Sequence, residues 1–99
     1  MNDFELSVHV DKDKLTDEFH RVLRHWKNLV HEGIKCAVPL DEILRDDERG
    51  HGEACGFLLA LKALPLSVFT EADIEAFRQE LVATMHSTKA IIEVYKDDE

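Results

Sequence analysis

Cysteine, proline, glycine and basic residues are all scarce in this chain, and each shortage narrows what it can be. With 2 cysteines, Cys36 and Cys55, in 99 residues, no disulfide framework organises the fold, and both are expected as free, buried thiols. No stretch reaches the roughly 20 apolar residues that a bilayer crossing takes. Nor does an apolar run follow basic residues near the N-terminus, so the reading is a cytoplasmic protein. The 2 prolines and 4 glycines leave no interdomain linker, and neither repeats nor low-complexity segments occur. Residues 1–99 therefore read as a single domain, with 97–99 as a solvated tail. Lys and Arg number 12 against 21 Asp and Glu, a net charge of −9. Phosphate contacts dominate most nucleic-acid affinity, so such a chain is a poor general partner for nucleic acid. It is suited instead to offering carboxylates to a basic protein.

What is present is ordinary globular material, 44% hydrophobic and 33% charged. The stretch Gly52–Leu64 stands out, because Lys62 is its only charge after Glu53 and Pro65 ends it. It predicts a central packing helix. Gly52, Gly56 and Ala60 recur every fourth residue, a small-residue stripe expected to admit another backbone closely. Gly56→Leu is then expected to overpack that contact.

In chain order, Phe4, Leu6, Val8 and Val10 alternate with polar residues and predict a strand over 3–10. Asp13 is the expected N-cap of a long amphipathic helix carrying Leu15, Phe19, Val22, Leu23, Trp26, Leu29 and Val30 and ending near Gly33. A short mixed piece, 34–38, is a possible strand. Pro39 opens a brief helix over 40–45, and 46–52 reads as an exposed loop. Thr70 and Asp73 form a capping box, with Phe69 and Ile74 as its hydrophobic staple. The helix that follows buries Ile74, Phe77, Leu81, Val82 and Met85, and Lys89–Lys96 is rich enough in β-branched residues to predict a second strand. The fold class expected is thus α+β: a two-layer sandwich whose two or three strands, from the N- and C-terminal segments, are covered on one face by three to four helices. Unpaired edges in so small a sheet favour a homodimer.

Functional signals are sparse. Asp41, Glu42, Asp46, Asp47 and Glu48 form an acidic segment, and Ile91 and Tyr95 fall on the expected outer sheet face. Together they are the candidate contacts of a small, non-enzymatic protein–protein interaction module, inhibitor-, immunity- or adaptor-like. His51 and Cys55 stand at i, i+4 and suit a soft metal ion, which suggests a metal-dependent sensor or small enzyme as an alternative. Their spacing matches no established metal motif, and a buried helical cysteine explains Cys55 equally well, so no cofactor is assigned. A cysteine with a histidine, or Ser67 or Ser87 with His86, would be the raw material of a catalytic dyad, but no nucleophile elbow surrounds them. Gly50-His51-Gly52 before a helix suggests a phosphate cradle, opposed by its acidic neighbours. A nucleic-acid-associated regulator using the basic face of the first helix (Arg21, Arg24, Lys27, Asn28, His20, His31) is a further alternative, against the plain reading of a solvated polar face.

Overall fold

The computed structural model describes residues 11–65 and 68–98. The expected strand over 3–10 lies outside them. Three helices account for the described residues: α1 (Lys12–Lys35), α2 (Leu40–Lys62) and α3 (Glu71–Asp98). There is no strand among the described residues, which overturns the α+β sandwich: the described residues form an all-α bundle of three helices.

The first helix matches its sequence pattern closely. Phe19, Leu23, Trp26, Val30 and Gly33 are buried at steps of four and three, one continuous stripe. Its cap is Asp11, not Asp13: the Asp11 carboxylate accepts from the Lys14 N–H at 3.1 Å, and Asp13 sits inside the first turn. The C-terminus closes as a Schellman turn, with Val38 N–H donating to Gly33 O at 2.9 Å and Ala37 N–H to Ile34 O at 3.1 Å. Ala37 takes the left-handed position, φ 55°, where glycine is the usual occupant. Val38 then packs on the core and Pro39 starts α2.

The 40–45 helix, the 46–52 loop and the central helix are one helix, α2. Three interior glycines, Gly50, Gly52 and Gly56, argue against helix by propensity, at about 1 kcal/mol each. Packing reverses that at one of them. A Cβ at position 50 would lie 2.5 Å from Trp26 Cγ and 2.8 Å from Trp26 Cβ, so only glycine lets the two backbones close on the indole. Gly33 makes a milder approach from the other side, its absent Cβ 3.3 Å from Ile43 Cγ1. Gly52 and Gly56, by contrast, face open space. The small-residue stripe expected at 52, 56 and 60 is therefore not a helix contact, since all three residues are exposed. Ile43, Gly50, Ala54, Leu58 and Leu61 form the buried side instead.

The capping box at the head of α3 is present in both directions. Asp73 N–H donates to Thr70 Oγ1 at 3.1 Å, and Thr70 N–H donates to the Asp73 carboxylate at 3.0 Å. Phe69 is fully buried and Ile74 packs beside the same cluster. From there α3 runs without a glycine or proline to Asp98, so the predicted strand over 89–96 is helix, and Asp97 and Asp98 belong to it rather than to a tail. Phe77, Leu81, Thr84, Thr88 and Ile92 keep the helical period throughout. The buried threonines donate to carbonyls of their own helix, Thr84 to Glu80 O at 2.9 Å and Thr88 to Met85 O at 3.1 Å.

Cross-contacts give the directions. Gly33–Ile43, Trp26–Gly50 and Phe19–Phe57 make α1 and α2 antiparallel. Lys12–Asp73 at 3.0 Å and His20–Glu80 at 2.8 Å set α3 parallel to α1. Aromatic rings fill the centre of one end: Phe19 lies 5.0 Å from Phe77, which meets Phe69 edge-on at 5.4 Å.

Gly50→Ala should therefore cost on the order of 1–3 kcal/mol or more in urea unfolding, whereas Gly56→Ala should stabilise by about 0.5–1 kcal/mol through helix propensity. Equal effects at the two sites would contradict the contact at Gly50. The Thr70 N–H, and after it the Lys12 ammonium, hold the Asp73 carboxyl below its usual range. Its folded value is depressed, so its stabilisation is complete above the unfolded value near pH 4 and is lost as pH falls through the folded one. Acid unfolding curves should accordingly be shallower in Asp73→Asn than in the parent.

Candidate functional site

The residues singled out from the sequence are scattered by the bundle rather than gathered. Asp41 and Glu42 are exposed in the first turn of α2, where the helix dipole favours carboxylates, and Asp41 pairs loosely with Arg45 at 4.0 Å. Asp46 is half-buried and Glu48 exposed. Asp47 has a structural partner: its carboxylate accepts from the Trp26 indole N–H at 2.7 Å. Trp26 is fully buried, and this bond satisfies its one polar atom. Tyr95 is likewise turned inward. Its hydroxyl donates to Val38 O at 2.8 Å, fastening the end of α3 to the α1–α2 turn. Ile91 is half-buried on α3. With the sheet gone, Ile91 and Tyr95 do not form an outer contact face.

His51 and Cys55 do share one side of α2, as their spacing implies. His51, however, packs against Trp26, the ring centroids 5.4 Å apart and the planes tilted by 36°. No group of three or more potential metal ligands occurs among the described residues. Gly50-His51-Gly52 lies inside α2 and not at its start, so the helix N-terminus that a phosphate cradle needs is absent there. Ser67 lies outside the described residues. Among those described, no hydrogen bond joins Ser87, Cys36 or Cys55 to a histidine, and both thiols are free. Cys36 is exposed rather than buried.

What the fold does build is a groove. The sides of α2 and α3 that face away from α1 enclose an open trough of about 560 Å³. Its floor is Cys55, Leu58, Phe69, Ile74 and Leu81, with Leu59 on the α2 rim left 64% exposed. Lys62, Glu71, Glu75 and Arg78 edge it, the last two paired at 2.6 Å. That pairing pulls the Glu75 carboxyl below its ordinary range and raises the Arg78 guanidinium, first through the hydrogen bond and then through the charge. The rim therefore carries two positive and two negative charges around an apolar floor. Chemically this is a place for apolar burial and not for acid–base work.

The groove is hidden in the sequence for a definite reason. It joins Cys55 and Leu58 of α2 to Phe69, Ile74 and Leu81 of α3, and which sides of two helices meet is set by tertiary packing that neither helix's own pattern specifies. The exposed leucine inside an otherwise core-like stretch, Leu59, is the residue signal that marks it. Among the described residues no helix is long and apolar enough to cross a membrane. Comparison with family models, curated proteins and solved structures finds no match for this chain.

Removing the Asp47 carboxylate leaves the indole N–H without its partner, so Asp47→Ala should lose about 1–3 kcal/mol in chemical denaturation. Tyr95→Phe should lose less, about 0.5–1.5 kcal/mol, because the Val38 carbonyl it leaves is at the edge of the bundle. Unchanged stability in both would mean that neither bond holds the bundle together.

Proposed function

We propose that this chain is a non-enzymatic protein–protein interaction module that works as a homodimer, with the α2–α3 groove as its interface. The observation that carries the reading is the apolar trough with Leu59 standing on its rim. A single exposed leucine is common on protein surfaces, but a leucine bordering a continuous apolar floor marks an interaction surface.

The rim chemistry favours a second copy as the occupant. Two chains of net charge −9 repel, so self-association needs a face where that charge is locally cancelled. Lys62 and Arg78 balance Glu71 and Glu75 there. Under a two-fold axis the same patch meets itself, and each cation finds an acid across the interface. Asp41 and Glu42, the exposed acids at the start of α2, lie outside the groove. The free thiols support placing the module in the cytoplasm.

The test is sedimentation of the parent chain and of Leu59→Glu at roughly 100 µM. The parent should run as a dimer and the variant as a monomer of unchanged helicity, since position 59 contributes little to the core. A monomeric parent, or a variant that still dimerises, removes the proposal.

A further inference from the structure

A second surface lies where α1 meets α3. His20, Arg24, Lys27, His31 and Lys35 follow one another on α1 at steps of four, three, four and four, which places them in one row. Between Arg24 and Lys35 no acid falls on that row, although Asp17, three positions before His20, continues it toward the N-terminal end of α1. Glu18 is engaged with Arg21 at 2.7 Å, and Glu32 is one position past His31, about 100° around the helix. Across from the row, α3 offers Ala83, Ser87, Ala90 and Val94, a second row at steps of three and four with no charge. A shallow trough of about 380 Å³ runs between them, lined by His20, Arg24 and Lys27 on one wall and Glu80, Ala83 and Thr84 on the other. Glu80 is the one acid here, and it is held by His20 at 2.8 Å.

Two features set this face apart from an ordinary solvated side of a helix. First, among the described residues Arg24, Lys27 and Lys35 have no acid within salt-bridge distance; Lys14, Arg49, Lys62 and Lys89 are unpaired as well, but only the three on α1 share one row. In a chain with 21 acids and 12 bases, three unpaired cations in one row is a local reversal of sign. Second, the row is flanked by an apolar strip: Val94 is 63% exposed, and Ala83 and Ala90 are exposed beside it.

We propose that the α1–α3 face docks an acidic amphipathic helix of a partner protein. The alanines and Ser87 let a helix backbone approach α3 closely, Val94 gives its apolar side a contact, and Arg24, Lys27 and Lys35 meet its carboxylates over about 16 Å of axis. A sugar–phosphate backbone would use the cations but not the apolar strip, and the remainder of the molecule would repel it.

The probe is a synthetic helical peptide with glutamates on one face and leucines on the other, titrated into isotope-labelled full chain carrying Leu59→Glu. That background removes the α2–α3 groove, so failure here is distinct from failure of the dimer. Amide shifts should gather at Arg24, Lys27, Lys35, Ala90 and Val94. Arg24→Glu with Lys27→Glu should weaken binding roughly tenfold or more, and binding should fall with added salt. Val94→Ser, which alters no charge, should also weaken it. Equal binding of the peptide with lysines in place of glutamates overturns the proposal. So do shifts confined to other faces, and so does tighter binding of duplex DNA than of the acidic peptide.

Discussion

The packing of Trp26 against Gly50 is the constraint on which the rest of the bundle depends. The largest side chain in the chain is completely buried, and it reaches that state only because the facing helix presents no side chain at that point. Backbone and indole then touch directly, which fixes the rotation of α2 about its axis. With that rotation set, Asp47 one turn earlier meets the indole N–H and His51 lies along the ring. The polar atom of the tryptophan is satisfied and its faces are covered. Ile43 arrives opposite Gly33 at one end of the same seam, and Phe57 opposite Phe19 at the other. Bringing a fully buried aromatic out of water is worth about 1.5–3 kcal/mol, so a helical glycine costing about 1 kcal/mol by propensity is readily tolerated.

That dependence decides which parts of the fold were legible in the sequence. α1 was readable because its apolar residues are long, regularly spaced and uninterrupted, and α3 announced its start through Thr70, Asp73 and Phe69. Local chemistry specified both. The Asp46–Gly52 segment was not readable, since its acids and glycines are locally those of a loop. What makes it helix is a contact with Trp26, which is remote in the chain. Residues 89–96 were misleading for a related reason. Ile91, Ile92 and Val94 suit a pleated surface by composition, but β-propensity measures fit to neighbours that must exist. No break separates them from a helix already nucleated by a capping box. The buried row through Thr84, Thr88 and Ile92 carries the period of three and four onward, and the threonines hid it by being polar.

The expected strand over 89–96 also displaces the candidate contacts. Tyr95 looked like an outer residue because strand geometry sends alternate side chains to opposite faces, whereas helix geometry places it three residues beyond Ile92 on the inner one. Asp47 looked like part of a solvated run because its partner is distant in the chain. In both cases a side chain that seemed available for a partner is engaged inside the molecule. The stripe at Gly52 and Gly56 errs in the other direction, as periodicity alone does not say which of several small residues meets another helix.

Three helices leave each pair with an outer groove, and the two grooves that flank α3 differ in what they present. Between α2 and α3 the floor is apolar and the rim neutral overall. Between α1 and α3 the apolar strip is shallow and the neighbouring row is positive. An acidic chain that bound itself through the positive face would have to set its own carboxylates against cations needed on both copies, and a two-fold axis would place like rows together. The neutral trough has no such conflict, because each of its charges has the opposite sign available in the same patch. Symmetry and charge thus favour self-association on the α2–α3 side and leave the α1–α3 side for a partner of different composition. The core constraint at Trp26 and Gly50 keeps the two surfaces apart, by holding α1 over one side of the α2–α3 pair and leaving the other side open.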